Sequence, residues 1–374
     1  MNTRKLLASV LTLVSVLLSA CAPVATAKPP SPTAIPTTAP TAVTETKSST
    51  PDYVEGVGRI ISMIPASAAL QKIHVGQDVL WFWEEECYCV VHFDEVSGKE
   101  IASLNVVKGT PGRYGNPKDM AVDGKMVWAT DAGHQAVVRI DPDTNQIVEQ
   151  IPLKFTDASG NTVKISPMGL ALDGTTLWVS DFDKNYVVRL DIESKEIVAV
   201  ISDVINPEGI AVSPGAVWVV EHRSNQIVRI DPSTNKIIEL ILIPTPENVF
   251  ANGSCRMCID YVVATKDSVW VPLDRGMGVA RIDPVTNQVI AVIPLEFMAR
   301  NVAVGDNAIW VAGSPISGCM SNLGGVARID PQTNTVVGMI SIPCAFSVAV
   351  AHGFIWVGTG NLGGSPSITQ IKPD

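Results

Sequence analysis

An all-β fold, a seven-bladed β-propeller of four-stranded antiparallel blades, is predicted by three features of this 374-residue sequence. A strand-turn-strand phrase recurs. A tryptophan stands at a fixed place ahead of it. The two ends of the chain carry complementary fragments of one repeat. The phrase reads "RIDPDTNQIV" from Arg139, "RLDIESKEIV" from Arg189, "RIDPSTNKII" from Arg229, "RIDPVTNQVI" from Arg281 and "RIDPQTNTVV" from Arg328, with a worn copy, "HFDEVSGKEI", from His92. A spacing of roughly 40–50 residues is that of propeller blades rather than of helical repeats. The tryptophans are Trp81, Trp128, Trp178, Trp218, Trp270, Trp310 and Trp356.

One unit resolves into four strands. In the clearest copy, strand a is "GIAV", b is "AVWVV", c is "QIVRID" and d is "KIIELIL". A Gly/Asp turn joins a to b, and a variable loop joins b to c. The "DPxTN" turn joins c to d: Pro and Asp pre-set it, and Asn tolerates the left-handed backbone it needs. The last unit has a ("FSVAVA"), b ("FIWVGT") and c ("SITQIKPD") but no d. Near the front, "VGRIISMIPAS" (Val57 to Ser67) matches a d strand and has no a, b or c before it. The N-terminal strand therefore completes the last blade and shuts the ring. That removes the free sheet edge of an open array. The folded domain is residues 53–374.

The remaining N-terminal residues divide in two. Residues 1–20 carry Arg4 and Lys5 and then a short apolar stretch, a secretory signal rather than a spanning helix. Leu18-Ser19-Ala20-Cys21 resembles the lipobox of bacterial lipoproteins, which implies cleavage before Cys21 and lipidation of its thiol. Residues 21–52 are rich in Pro, Thr and Ala, and too poor in bulky apolar groups to offset their ordering entropy. They read as a tether from membrane to propeller, which places the chain outside the cytoplasm. The net charge of -10 repels phosphate and excludes nucleic acid as a partner.

The blade pattern resembles YVTN-type propellers of bacterial surface and periplasmic proteins. It is also similar to the virginiamycin B lyase (streptogramin lyase) group, whose blades carry "P-x-G-I-A" and "W-F-T-E…N-x-I-G-R-I". Pro207-Glu208-Gly209-Ile210-Ala211, Trp218-Val219-Val220-Glu221 and Asn225-Gln226-Ile227-Val228-Arg229-Ile230 carry the likeness over residues ~53–374. It implies the propeller fold. For the lyase group it also implies a His base with a Glu and a divalent cation, opening a lactone by elimination. The match departs at Val220, where the group has Thr, and at "IVRI" for "IGRI".

The d-to-a and b-to-c links fall on one face of such a ring, and their length makes it the working face. Three residues past the tryptophan stand Glu84, Asp131, Asp181 and Glu221 in blades one to four, with Asp274 displaced in blade five and Gly313 and Thr359 in the last two. Inner-strand starts add Asp119, Glu208 and Asp260, with Lys118 and Arg300 of opposite sign. One reading is a carboxylate-lined mouth for a small-molecule ligand, a protein partner or a divalent cation, Ca²⁺ or Mg²⁺, with Asp131, Asp181 and Glu221 as ligands. The other is that each acid accepts hydrogen bonds from its own b–c loop. The repeated tryptophans read as wedges between sheets; Trp83, outside the pattern, suits a stacking platform. His134 and His222 fall in working-face loops, and Glu221 with His222 is the candidate catalytic pair for a lyase- or lactonase-like alternative. The leading expectation is a binding or scaffold propeller without catalysis.

Six cysteines follow Cys21. Outside the cytoplasm disulfides are the default. Cys319–Cys344 joins neighbouring loops and is the best pair, and Cys255–Cys258 closes a small ring. Cys87–Cys89 is an awkwardly tight ring, and C-x-C with C-x-x-C has an alternative reading as four thiolate ligands.

Overall fold

The computed structural model describes residues 53–66, 69–75, 79–84, 87–94, 99–106, 118–122, 126–244, 259–305, 307–315, 324–360 and 366–374. The signal, Cys21, the tether, Cys255, Cys258 and Cys319 lie outside the described residues. Within them all regular structure is β-strand. Seven antiparallel sheets follow one another along the chain, their inner strands a at Leu70–Val75, Met120–Val122, Leu170–Asp173, Pro207–Ser213, Val263–Ala264, Met298–Gly305 and Ala345–Ala351. In blade four, strand b is Ala216–Glu221, c is Gln226–Asp231 and d is Lys236–Leu242. A hairpin that the repeat did not announce, Lys154–Thr156 with Thr162–Lys164, fills the link between blades two and three.

The ring closes where the sequence predicts. Gly58–Pro65 pairs with the C-terminal strand Ser367–Pro373, aligning Arg59 with Lys372, Ser62 with Gln370 and Ile64 with Ile368. Seven inner and middle strands thus find their outer strand, the last of them from the opposite end of the chain. Tyr53–Val54 adds a short fifth strand outside it.

The c–d turns work as their residues dictate. In blade four the Asp231 carboxylate accepts the Ser233 N–H at 2.8 Å, and the Asn235 N–H returns to the Asp231 carbonyl at 2.8 Å. Asn145, Asn235, Asn287 and Asn334 take positive φ of 53–62° there, the region Asn enters more readily than other side-chain-bearing residues. Blade three has Lys195 at this place, at φ 63°.

Each repeated tryptophan is at most 1% exposed and packs against the next blade. Trp218, for example, lies among Ile259, Val262, Val269 and Val271 of blade five, and Trp178 among Ile210, Val217 and Val219 of blade four. The wedge reading holds. The arginine of the c strand lies over its own blade's tryptophan, 5.1 Å from the ring centre for Arg229 on Trp218. It then reaches the next blade's turn: Arg229 donates to Asn287, Arg189 to Pro232 O and Asn235, and Arg281 to Pro331 O and Asn334. One residue type therefore stacks on the wedge and ties neighbouring blades. Arg139 meets Lys195 instead of an asparagine and turns toward Glu149 at 3.8 Å.

Candidate functional site

The chain folds so that strands a begin, and strands b end, at one mouth of the ring. A cavity of about 280 Å³ opens there, lined by residues from all seven blades. Its rim has a simple register. Ala211 pairs with Trp218, and Glu208 stands three residues before it. The same offset gives Gln71, Lys118, Met168, Glu208, Asp260, Arg300 and Phe346, one per blade, and all seven line the cavity. Lys72, Gly169, Tyr261, Asn301 and Trp83 complete the lining. The glycine of "P-x-G" has a steric cause: a Cβ on Gly169 would fall against the Glu208 carbonyl, and one on Gly209 would lie 2.6 Å from the Asp260 carbonyl.

The sequence-predicted residues separate into two groups. The acids at the ends of strands b serve their own links. Asp131 is fully buried and accepts from the His134 backbone N–H and ring Nδ1 and from Gln150 Nε2, at 2.8–3.0 Å. Asp181 is fully buried and accepts from the Ser166 and Lys184 backbone N–H groups and from Lys184 Nζ. Glu221 accepts from Ile205 N–H at 2.7 Å and Ser224 Oγ at 2.6 Å. Glu84 is buried as well. The loop-anchoring reading describes Asp131, Asp181 and Glu221 better than a carboxylate ring open to ligand. Asp119 is a second kind of anchor, buried among Lys72 at 3.2 Å, His74 at 3.4 Å and the Met120 and Leu170 N–H groups. Burial opposes its ionisation, yet Lys72 and His74 hold its carboxyl below the usual range.

Glu208, Asp260 and Arg300 do reach the mouth, and His222 joins them. His222 Nδ1 lies 2.7 Å from Asp260 Oδ1 and 2.9 Å from Glu208 Oε2. The expected partnership of His222 with Glu221 is thus replaced: the chain turns His222 inward to the rim acids of blades four and five, while Glu221 stays with its loop. Phe182 packs on the imidazole edge-on, 5.7 Å between ring centres. Burial alone would lower the pKa of His222, but Asp260 and Glu208 override it and push it to about 10. Burial raises the Glu208 carboxyl, partly offset by His222. Burial likewise pushes Asp274 up to about 6, against the pull of Arg300 at 2.8 Å.

Among the described residues, Glu208, His222 and Asp260 form the group whose ligating atoms lie within 4.8 Å of one another. One Nδ1–H cannot point at two carboxylate oxygens at once. A divalent cation between the three donors would replace that proton and satisfy both acids. The imidazole makes the set softer than the all-oxygen site expected for Ca²⁺ and suits Mn²⁺ or Zn²⁺. The cavity lining also carries cations: Lys72 lies over the Tyr261 ring, Lys118 over Trp83 and Arg300 over Phe346, at 5.4, 5.4 and 5.8 Å. The mouth is therefore mixed in charge rather than uniformly acidic. Gln71, Lys72, Met168, Tyr261, Asn301 and Phe346 were missed in the sequence. The three-residue offset from the tryptophan partner would have found all but three of them.

Cys87 and Cys89 are joined by a disulfide, in spite of the tightness of a ring with one residue between them. They are not available as thiolate ligands in this state. Cys344 is also disulfide-bonded.

Solved structures of low sequence identity share this architecture. A virginiamycin B lyase from Staphylococcus aureus has 14% identity and a TM-score of 0.61, over 83% of this chain and 98% of that one. A structure described as U3-55K has 13% identity and a TM-score of 0.65, over 85% and 99%. A structure of RRP9 WD40 repeats has 14% identity and a TM-score of 0.64, over 87% and 99%. The class defined is the seven-bladed β-propeller, and within it the chain is similar in fold both to a lyase and to WD40 repeats. No family model matches the sequence, and no curated protein matches it.

Proposed function

We propose that this chain is an extracytoplasmic binding propeller, held to a bacterial membrane by lipid on Cys21, that captures a small ligand at its mouth with a divalent cation on Glu208, His222 and Asp260. The convergence of those three side chains beside a seven-blade cavity carries the reading. The loop-anchoring acids stiffen the links around the mouth, and the tryptophan wedges fix the blades that present the rim. Such a site is preorganised, so little ordering cost opposes binding.

The neighbouring lyase raises a second reading, elimination chemistry with His222 as base. The electrostatics argue against it. A general base must be unprotonated, and an imidazole held at about 10 is an acid near neutral pH. With a cation on Nδ1, the same lone pair is already engaged. His222 is better suited to holding a ligand or a cation than to taking a proton.

Calorimetry of residues 52–374 with Mn²⁺ tests the proposal. One-site binding is expected, weakened at least tenfold by Glu208→Gln with Asp260→Asn and unaffected by Asp131→Asn. No saturable heat with Mn²⁺, Zn²⁺, Mg²⁺ or Ca²⁺ overturns the cation site.

A further inference from the structure

The charge order around the rim is not random. Taken by blade from one to seven, the rim residues are neutral Gln71, basic Lys118, apolar Met168, acidic Glu208 and Asp260, basic Arg300 and apolar Phe346. The two acids are neighbours, and a cation stands beyond them on either side. Lys72, one residue inward from Gln71, adds a third cation from blade one. Met168 separates Lys118 from Glu208, and no lysine or arginine lies in the acid pair itself.

The three cations are held rather than loose. Each lies over an aromatic ring, and Lys72 and Arg300 are braced from behind by Asp119 and Asp274. A cation on a ring face is only partly hydrated and keeps its direction, so it pairs with an incoming anion at reduced desolvation and ordering cost. The Asp274 carboxylate, 2.8 Å from Arg300, fixes that guanidinium at the rim. Lys72, Lys118 and Arg300 all line the cavity. At about 280 Å³, this cavity is just below the range of ~300–1,000 Å³ that suits drug-sized molecules.

We propose that Lys72, Lys118 and Arg300, which line the mouth, form a carboxylate-binding subsite for a small di-anionic metabolite. One carboxylate meets Lys118 and Arg300, and the other faces the Glu208–His222–Asp260 corner, where a bound cation receives it. The inference rests on the reading of the mouth as a binding site and names the class of ligand. Glu208 and Asp260 repel the second carboxylate unless their corner holds its cation. Anion and cation therefore bind with positive coupling.

Succinate is the probe, titrated into residues 52–374 first in EDTA and then in saturating Mn²⁺. Saturable binding is expected in both, at least fivefold tighter with Mn²⁺. Lys118→Gln with Arg300→Gln should remove succinate binding and leave Mn²⁺ binding within twofold. Glu208→Gln with Asp260→Asn should do the reverse, removing Mn²⁺ binding while succinate in EDTA binds as well or better. That crossed pattern separates failure of the anion subsite from failure of the cation site. Should the double variant misfold, as judged by its thermal transition, Lys118→Gln alone, which leaves the Arg300–Asp274 pair intact, should still weaken succinate severalfold. Absence of saturable succinate binding in both conditions, or undiminished binding in Lys118→Gln, overturns the proposal.

Discussion

The affinity of the mouth for a divalent cation should climb with pH far beyond the range of an ordinary histidine. Nδ1 of His222 must lose its proton to become a ligand. Burial favours that loss, but Asp260 and Glu208, at 2.7 and 2.9 Å, oppose it and hold the pKa at about 10. Below that value, apparent affinity rises about tenfold per pH unit, so pH 6 to 8.5 should bring an increase of about 300-fold. A histidine at its ordinary value of about 6.5 would give only about fourfold over the same interval and then a plateau. Glu208, whose carboxyl burial also raises, steepens the acid end. Calorimetry with Mn²⁺ at half-unit steps, corrected for buffer ionisation, reads both the slope and the proton released. Asp260→Asn removes the largest contribution that raises His222, so it should weaken binding and also bring the plateau toward neutral pH. A titration flat above pH 7 in the native protein would refute the assignment of Nδ1 as a ligand held protonated by two carboxylates.

Further outcomes follow from the ring itself. Lys195→Asn should stabilise the domain by about 1 kcal/mol in urea unfolding. It relieves a left-handed lysine and offers Arg139 the acceptor its counterparts use, against the loss of the Lys195–Glu149 pair, whose carboxylate is half-buried and keeps Arg139 nearby. Trp218→Ala should cost about 3–5 kcal/mol, because the side chain fills the gap between blades four and five. A chain starting at residue 67 lacks the outer strand of blade seven and bares the edge of Ser367–Pro373; it should elute as aggregates in size-exclusion chromatography, where the full domain gives a single discrete species. Cys21→Ser in the full chain should abolish palmitate labelling and release the protein from the membrane fraction, whereas unchanged fractionation would remove the anchor from the proposed function.

The repeat made most of the architecture legible. Blade count, the seam between residues near Arg59 and Gln370, the Asp and Asn of the c–d turns and the wedge role of the tryptophans all rest on interactions that recur with the period of the chain. The hairpin between blades two and three escaped because it occurs once, in a link, with strands of three residues. Glu208, Asp260, Arg300, Lys118 and His222 were among the candidates, but Glu221 was given to His222 on sequence adjacency. Glu221 closes strand b and is taken up by Ile205 N–H and Ser224 Oγ, whereas His222 opens the loop beyond it and turns to Asp260 and Glu208.

Sequence alone determined that this chain is a ring of seven like units closed by an N-terminal strand, because periodicity and complementary fragments are properties of one dimension. Only the tertiary structure decided which charges meet. The rim residues are separated by a blade's length of chain, and become neighbours when the ring shuts. Whether a carboxylate faces the mouth or its own loop depends on which backbone N–H groups the fold leaves within its reach. At Asp131 and Asp181 those donors come from the loops and links beside each acid; at Glu208 and Asp260 the nearest partner is the imidazole of His222.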